Sequence, residues 1–275
     1  MRVASRSRVA SGLLASHVVL IAFSTIALTT FLAGAPPAWL MQPANQRALQ
    51  IGWTWSGPTY VVLGALAAIA FLASRVGAMR ALAIFASTSL ISLSAELLGT
   101  ATGVPFGPYE YTPLLGYRIG GRVPFPIPVS WFYMVLASVV IVSRLMRSAD
   151  DSARTRWQWA LAAGAVLTAW DVSMDPAMVV TSHWLWHVPG FFYGMPLVNW
   201  FGWLLTGTII ARVLLSIVPP TVVSRELGTS RLPLLLYTAN GVFPIAICLR
   251  HELWWAAALG ALAMGTPLVL ALRTK

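Results

Sequence analysis

FPIPVSWFYMVLASVVIVSRL, residues 125–145, decides the fold: no Asp, Glu, Lys or Arg falls between Arg122 and Arg144. An α-helix needs roughly 20 apolar residues to cross a hydrocarbon core of about 30 Å. This run has that length, and it lacks the polar–apolar alternation of a strand from an outer-membrane barrel. Seven further segments resemble it, at about 12–33, 57–74, 79–100, 157–175, 197–218, 232–249 and 253–272. The expected fold is therefore an all-α integral membrane protein, a bundle of about eight transmembrane helices forming a single polytopic domain over 1–275. If Arg250-His251-Glu252 is a kink instead of a turn, the last two segments merge and the count becomes seven. Arg2, Arg6 and Arg8 ahead of the first segment, and Ala33-Gly34-Ala35 after it, imitate a signal peptide. The apolar run is longer than a typical signal core, so it is read as a retained helix.

Composition agrees, because 58% of the 275 residues are hydrophobic and only 9% are charged, against roughly 25% charged in soluble domains. The net charge of +10 raises the question of nucleic acid, which the positions of the basic residues answer. With the amino terminus inside, Arg2, Arg6, Arg8, Arg75, Arg80, Arg144, Arg147, Arg154, Arg156, Arg212, Arg225, Arg231, Arg273 and Lys275 all fall on the inner side. Only Arg47, Arg118, Arg122 and Arg250 fall outside. This is the asymmetry of the positive-inside rule, not a basic groove, and it predicts a multi-pass cell-membrane protein with both termini cytoplasmic and no nucleic-acid partner. Cys248 is the lone cysteine, so neither a disulfide framework nor a cysteine metal site is available.

Two outside stretches, 101–128 and 176–196, are long, rich in Gly, Pro and aromatic residues, and poor in charge. Pro128-Val129-Ser130-Trp131-Phe132 and Pro196-Leu197-Val198-Asn199-Trp200-Phe201 open the helices that follow them, a weak echo of a duplicated helix–loop–helix unit. Acidic residues gather at the same depth. Glu96 lies within an uncharged segment, where a carboxylate costs roughly 2.5 kcal/mol or more to insert. It is either a proton donor or a neutral acid bonded to a neighbouring helix. Asp171 and Asp175 share one helix face at i, i+4 spacing, with Pro176 expected to end that helix. Paired carboxyls in a dry site resist double ionisation, leaving one to hold a proton and one to accept it; the plainer reading has Asp175 capping the turn. His183 and His187 would have helical spacing for a metal, but no third histidine supports one. Trp184, Trp186, Trp200 and Trp203 fit an interfacial belt or the walls of a site for an apolar ligand, where their π faces can stabilise a cation.

The run from Glu96 through Gly99, Gly103, Pro105, Gly107, Tyr109, Glu110 and Tyr111 to Thr112, together with Asp171-Val172-Ser173-Met174-Asp175-Pro176, Gly190 to Pro196 and Asn199 to Trp203, resembles the carotenoid hydratase family, of the bisanhydrobacterioruberin hydratase and bacterial carotenoid 1,2-hydratase type. The resemblance covers about residues 90–210, taken as the catalytic core. It implies addition of water across the terminal C=C of an acyclic carotenoid to give a tertiary alcohol, without cofactor or metal. Carotenoid, water and membrane lipid are the partners it implies, with room for contact with other carotenoid-pathway enzymes. On this reading Glu96 or Asp171 donates the proton and Asp175 positions water, while Tyr109, Glu110, Tyr111, Trp131, Trp184, Trp186, Tyr193, Asn199, Trp200 and Trp203 bind or support substrate. Two alternatives stay open: a protonation-initiated carotenoid cyclase, in which the cation is captured within the molecule, and a membrane transporter or proton pathway, since intramembrane acids also mark ion routes.

Overall fold

The computed structural model describes residues 2–31, 37–146 and 150–274; Ala33-Gly34-Ala35, Arg147 and Lys275 lie outside the described residues. Its long helices are α1 (Arg2–Ile26), α2 (Pro43–Arg75), α3 (Ala78–Thr102), α4 (Pro126–Met146), α5 (Ala153–Val180) and α6 (Val198–Ile217). A short α7 (Pro220–Val222) follows, then α8 (Leu232–Arg250) and α9 (Trp254–Arg273). Seven of these are long and apolar enough to cross a membrane. The eighth long helix, α5, is the one that carries Asp171 and Asp175. At 28 residues and 1.5 Å per residue it is about 42 Å long, and it packs against α4, α6, α8 and α9. The chain is an all-α membrane bundle. The last two helices are separate, joined by a tight turn in which Glu252 has φ of 61°.

The opening run, now α4, is buried from Ser130 through Ser143. A helix apolar all round belongs in the interior of a bundle, and α2, α3, α5, α8 and α9 surround this one. Lipid instead faces the outer helices, where Val19 on α1, Leu90 on α3 and Leu262 on α9 are each more than half exposed. At its far end α4 is tied down by Arg144, which donates to the carbonyls of Gly228, Ser230 and Ala271. Close approach of α5 and α6 depends on Gly164, whose missing Cβ would stand 2.5 Å from the Thr208 hydroxyl and 3.0 Å from the Leu204 carbonyl.

Two helix boundaries differ from the sequence expectation. Helix α2 begins at Pro43 instead of near 57, with proline at its first turn, where a missing N–H costs nothing; Arg47 is thus helical and not in a loop. Pro176 does not end α5, which continues to Val180. Proline deletes only its own bond to Val172, and the following turn is held by Thr181 N–H to the Ala177 carbonyl and His183 N–H to the Met178 carbonyl.

The loops after α3 and α5 join at one end of the bundle. Strand β1 (Tyr109–Tyr111) pairs antiparallel with β4 (Trp184–Trp186), in the register Tyr109 to Trp186, Glu110 to Leu185 and Tyr111 to Trp184. The intervening β2 (Arg118–Ile119) and β3 (Val123–Pro124) form a small hairpin of their own.

Candidate active site

Strand residues alternate faces, and here the alternation sorts the chemistry. Tyr109 and Tyr111 point into the bundle while Glu110 points out; across the ribbon Trp184 points in and Leu185 out. Each inward pair seats one acid. Glu96, 3% exposed, accepts from both tyrosine hydroxyls through Oε2, with Tyr111 at 2.8 Å, and from Trp131 Nε1 through Oε1 at 3.2 Å. Asp175 accepts from Trp184 Nε1 and Trp186 Nε1 through Oδ1, at 3.1 and 3.0 Å. Burial first, and then the Glu96 carboxyl beside them, pushes both tyrosines well above the usual phenol range, so they act as O–H donors.

Asp171 is fully buried and is held differently. The Asn199 amide nitrogen donates to Asp171 Oδ2 at 2.8 Å and to Asp175 Oδ2 at 2.9 Å, bridging the two acids. Asp171 Oδ1 has no hydrogen-bond partner. A buried polar atom left in that state usually marks a ligand, a water or a catalytic role. Asp171 lines a cavity of about 90 Å³, together with Glu96, Asp175, Trp131, Trp203 and Met174. The Trp131 and Trp203 rings stack at 4.4 Å, and Trp170 meets Trp203 edge-on at 5.9 Å.

Of the residues expected at the site, the cavity thus gathers Glu96, Asp171, Asp175, Tyr109, Tyr111, Trp131, Trp184, Trp186, Asn199 and Trp203. Three others stand apart. Glu110, on the outward strand face, is 3.8 Å from His187 Nε2. Tyr193 accepts from the Trp255 backbone N–H, and Trp200 packs on Phe192. The two histidines do not share a helix face, because β4 separates them: His183 Nδ1 is 2.8 Å from the Thr181 hydroxyl, and His187 lies beside Glu110. Burial pushes His183 down to about 4, so its ring is neutral at neutral pH.

A second polar cluster, reaching the cavity through Tyr60, Tyr133 and Asn240, went unnoticed in the sequence. His17 Nδ1 is 2.7 Å from the Tyr60 carbonyl, which can only accept, so Nδ1 carries the hydrogen and Nε2 accepts from Asn240 Nδ2 at 3.1 Å. Asn240 Oδ1 accepts from the Tyr133 hydroxyl, and its carbonyl from Trp170 Nε1. The signal was available, since a histidine and an amide inside apolar runs invite the same question as Glu96. Tyr60, Asn240, Phe243 and Pro244 bring α2 and α8 to the cavity.

The echo between the two helix–loop–helix units is sharper in space than in sequence. Trp131 and Asn199 are each the third residue after their proline, and each donates to an acid of the preceding helix. Aligning the Trp-Phe pairs would instead match Trp131 to Trp200, whose indole nitrogen has no partner.

No solved structure significantly matches the chain. A bisanhydrobacterioruberin hydratase of Haloarcula japonica is 36% identical over 121 residues, which cover 44% of this chain and 40% of the relative; the match spans less than half of that protein. The family described as carotenoid biosynthesis protein matches residues 56–267. That range takes in every helix supplying an acid, an indole or the bridging amide to the cavity, and the chain belongs to the carotenoid biosynthesis protein family.

Proposed function

We propose that this protein is a hydratase that adds water to the terminal C=C of an acyclic carotenoid, with Asp171 as the proton donor. The observation that carries the reading is that Asp171, a residue of the cavity wall, keeps a buried Oδ1 with no hydrogen-bond partner. Glu96 and Asp175 each accept three donated hydrogen bonds, a shell that suits an anion. Asp171 accepts one and keeps an oxygen for a proton.

In the proposed reaction the Asp171 O–H gives its proton to the less substituted alkene carbon. The π electron pair forms the new C–H bond, the O–H pair stays on Asp171, and a tertiary cation is left. The stacked Trp131 and Trp203 faces and the nearby Asp175 carboxylate stabilise that cation. Water attacks it through an oxygen lone pair, and the resulting oxonium returns a proton to Asp171, so one water is added and the acid is regenerated. The basic-residue asymmetry supports an orientation with the ribbon end on the non-cytoplasmic side and both termini in the cytoplasm.

Asp171→Asn is the decisive substitution. Its amide oxygen still accepts from Asn199, so packing is kept while the dissociable proton is lost. In membranes supplied with acyclic carotenoid and oxygen-labelled water, turnover should fall at least about 10²-fold, the lower end of what general acid catalysis contributes. Asp150→Asn, in the loop ahead of α5, should have no effect. Near-normal hydration by Asp171→Asn eliminates the mechanism, and a product isomeric with the substrate indicates a cyclase.

A further inference from the structure

A second cavity adjoins the acid site, and the two differ in a way that assigns them different parts of one ligand. The acid cavity, at about 90 Å³, is well below the roughly 300–1,000 Å³ of small-molecule pockets. A cavity of that size suits only one end of a longer ligand. The second, between α1 and the start of α2, is about 350 Å³, which falls within that range. Among the described residues no Asp, Glu, Lys or Arg lines it; its walls include Phe23, Leu28, Trp39, Leu49 and Trp53. The two share Gly57, Tyr60, Leu115, Met178 and Phe243 as a common wall, and its mouth is edged by Phe31, Trp39 and Trp53, each about half exposed.

We infer that this second cavity binds the apolar chain of the substrate: a neutral, extended isoprenoid that enters from lipid between α1 and α2 and passes Gly57 and Met178, so that only its end reaches Asp171. This rests on the carotenoid reading of the acid site. The wall suits such a passage, because Met178 is flexible and Gly57 presents no side chain. A Cβ at Gly57 would meet no atom within 4 Å, so a larger residue there fills the passage instead of displacing packed groups.

The test is a titration of the detergent-purified protein with an acyclic carotenoid, followed by quenching of tryptophan fluorescence, in parallel with a monoterpene carrying the same end group. Gly57→Phe obstructs the passage, and Ala48→Phe narrows the second cavity from an exposed position on α2. Each should weaken carotenoid binding about tenfold or more, the effect of overfilling a packed site, and weaken monoterpene binding less. Unchanged carotenoid affinity in either variant, shown to elute and melt like the unmodified protein, overturns the assignment, as does an unmodified protein that binds no carotenoid. Weakened binding in both variants, with no water added by the unmodified protein, sustains the chain site and removes the hydratase reading alone.

Discussion

Replacing Asn199 with leucine tests the arrangement on which the site depends. The side chains share a branch at Cγ, with leucine the larger, so the change removes hydrogen bonds and adds some crowding. With the Asn199 amide nitrogen go contacts at 2.8 and 2.9 Å to carboxyl oxygens of buried Asp171 and Asp175, and a weaker one at 3.1 Å to Met195 Sδ. A hydrogen bond to a charged group contributes roughly 1.5–3 kcal/mol, and a buried polar atom left unsatisfied costs about 1–3 kcal/mol. The two carboxyls do not both carry a full charge, so the expected loss is about 2–5 kcal/mol, a large share of a net stability of about 5–15 kcal/mol. Reversible unfolding in mixed micelles, followed by tryptophan fluorescence, would measure it. A double-mutant cycle with Asp171→Leu should give a coupling of about 1 kcal/mol or more, because the two side chains are hydrogen-bonded to each other. A loss for Asn199→Leu below about 0.5 kcal/mol, the range of inconsequential surface changes, would refute the bridging amide and with it the separate treatment of Asp171 and Asp175.

Gly164→Val should cost about 1–3 kcal/mol by overpacking and lower activity as well, since its side chain would strike Thr208 and the Leu204 carbonyl and push α5, with its acids, away from Asn199; unchanged thermal unfolding would contradict the α5–α6 contact. For His183 the folded pKa is depressed from 6.5 to about 4, so the unfolded chain takes up the proton first and stability falls as pH drops from 6.5 towards 4. His183→Gln should flatten that slope in unfolding measured at pH 7 and pH 5, and an undiminished slope would assign it to other groups. Reporter fusions after residues 115 and 190 should both give a non-cytoplasmic signal, and a cytoplasmic signal from either would reverse the proposed orientation.

The bundle was legible because lipid imposes a simple demand, about twenty apolar residues per crossing, and the segment from 125 to 145 meets it openly. The acids were legible for the complementary reason: Glu96, Asp171 and Asp175 are costly where they stand, so they had to be partnered. Their partners were harder to read. Tyr109 and Trp186 lie far apart in sequence, and pairing between short strands leaves only the alternations Tyr-Glu-Tyr and Trp-Leu-Trp as a trace. Read with period two, those triplets place Glu110 outside and the rings inside. Helical spacing over 183–187 gives the unfulfilled histidine pair, and Glu110, placed at the site by resemblance, sits on the outward face of its strand. Which oxygen of Asp171 is free depends on the position of Asn199, a matter of side-chain geometry that no local pattern encodes.

The two helix–loop–helix units have a bearing on how the chain enters the bilayer during synthesis. Glu96 on α3 finds its donors at Tyr109 and Tyr111 in the following loop and at Trp131 on α4. The aspartates of α5 find theirs at Trp184, Trp186 and Asn199, before or just within α6. Every donor therefore lies downstream of the acid it satisfies and inside the same hairpin. A translocon releasing the chain two helices at a time would hand each pair to lipid with its carboxyls already partnered, and neither hairpin would wait for the other to hide its polar groups. The ribbon between Tyr109–Tyr111 and Trp184–Trp186 and the Trp131–Trp203 stack require both, which makes joining of the hairpins at the site a step after insertion and not a condition of it.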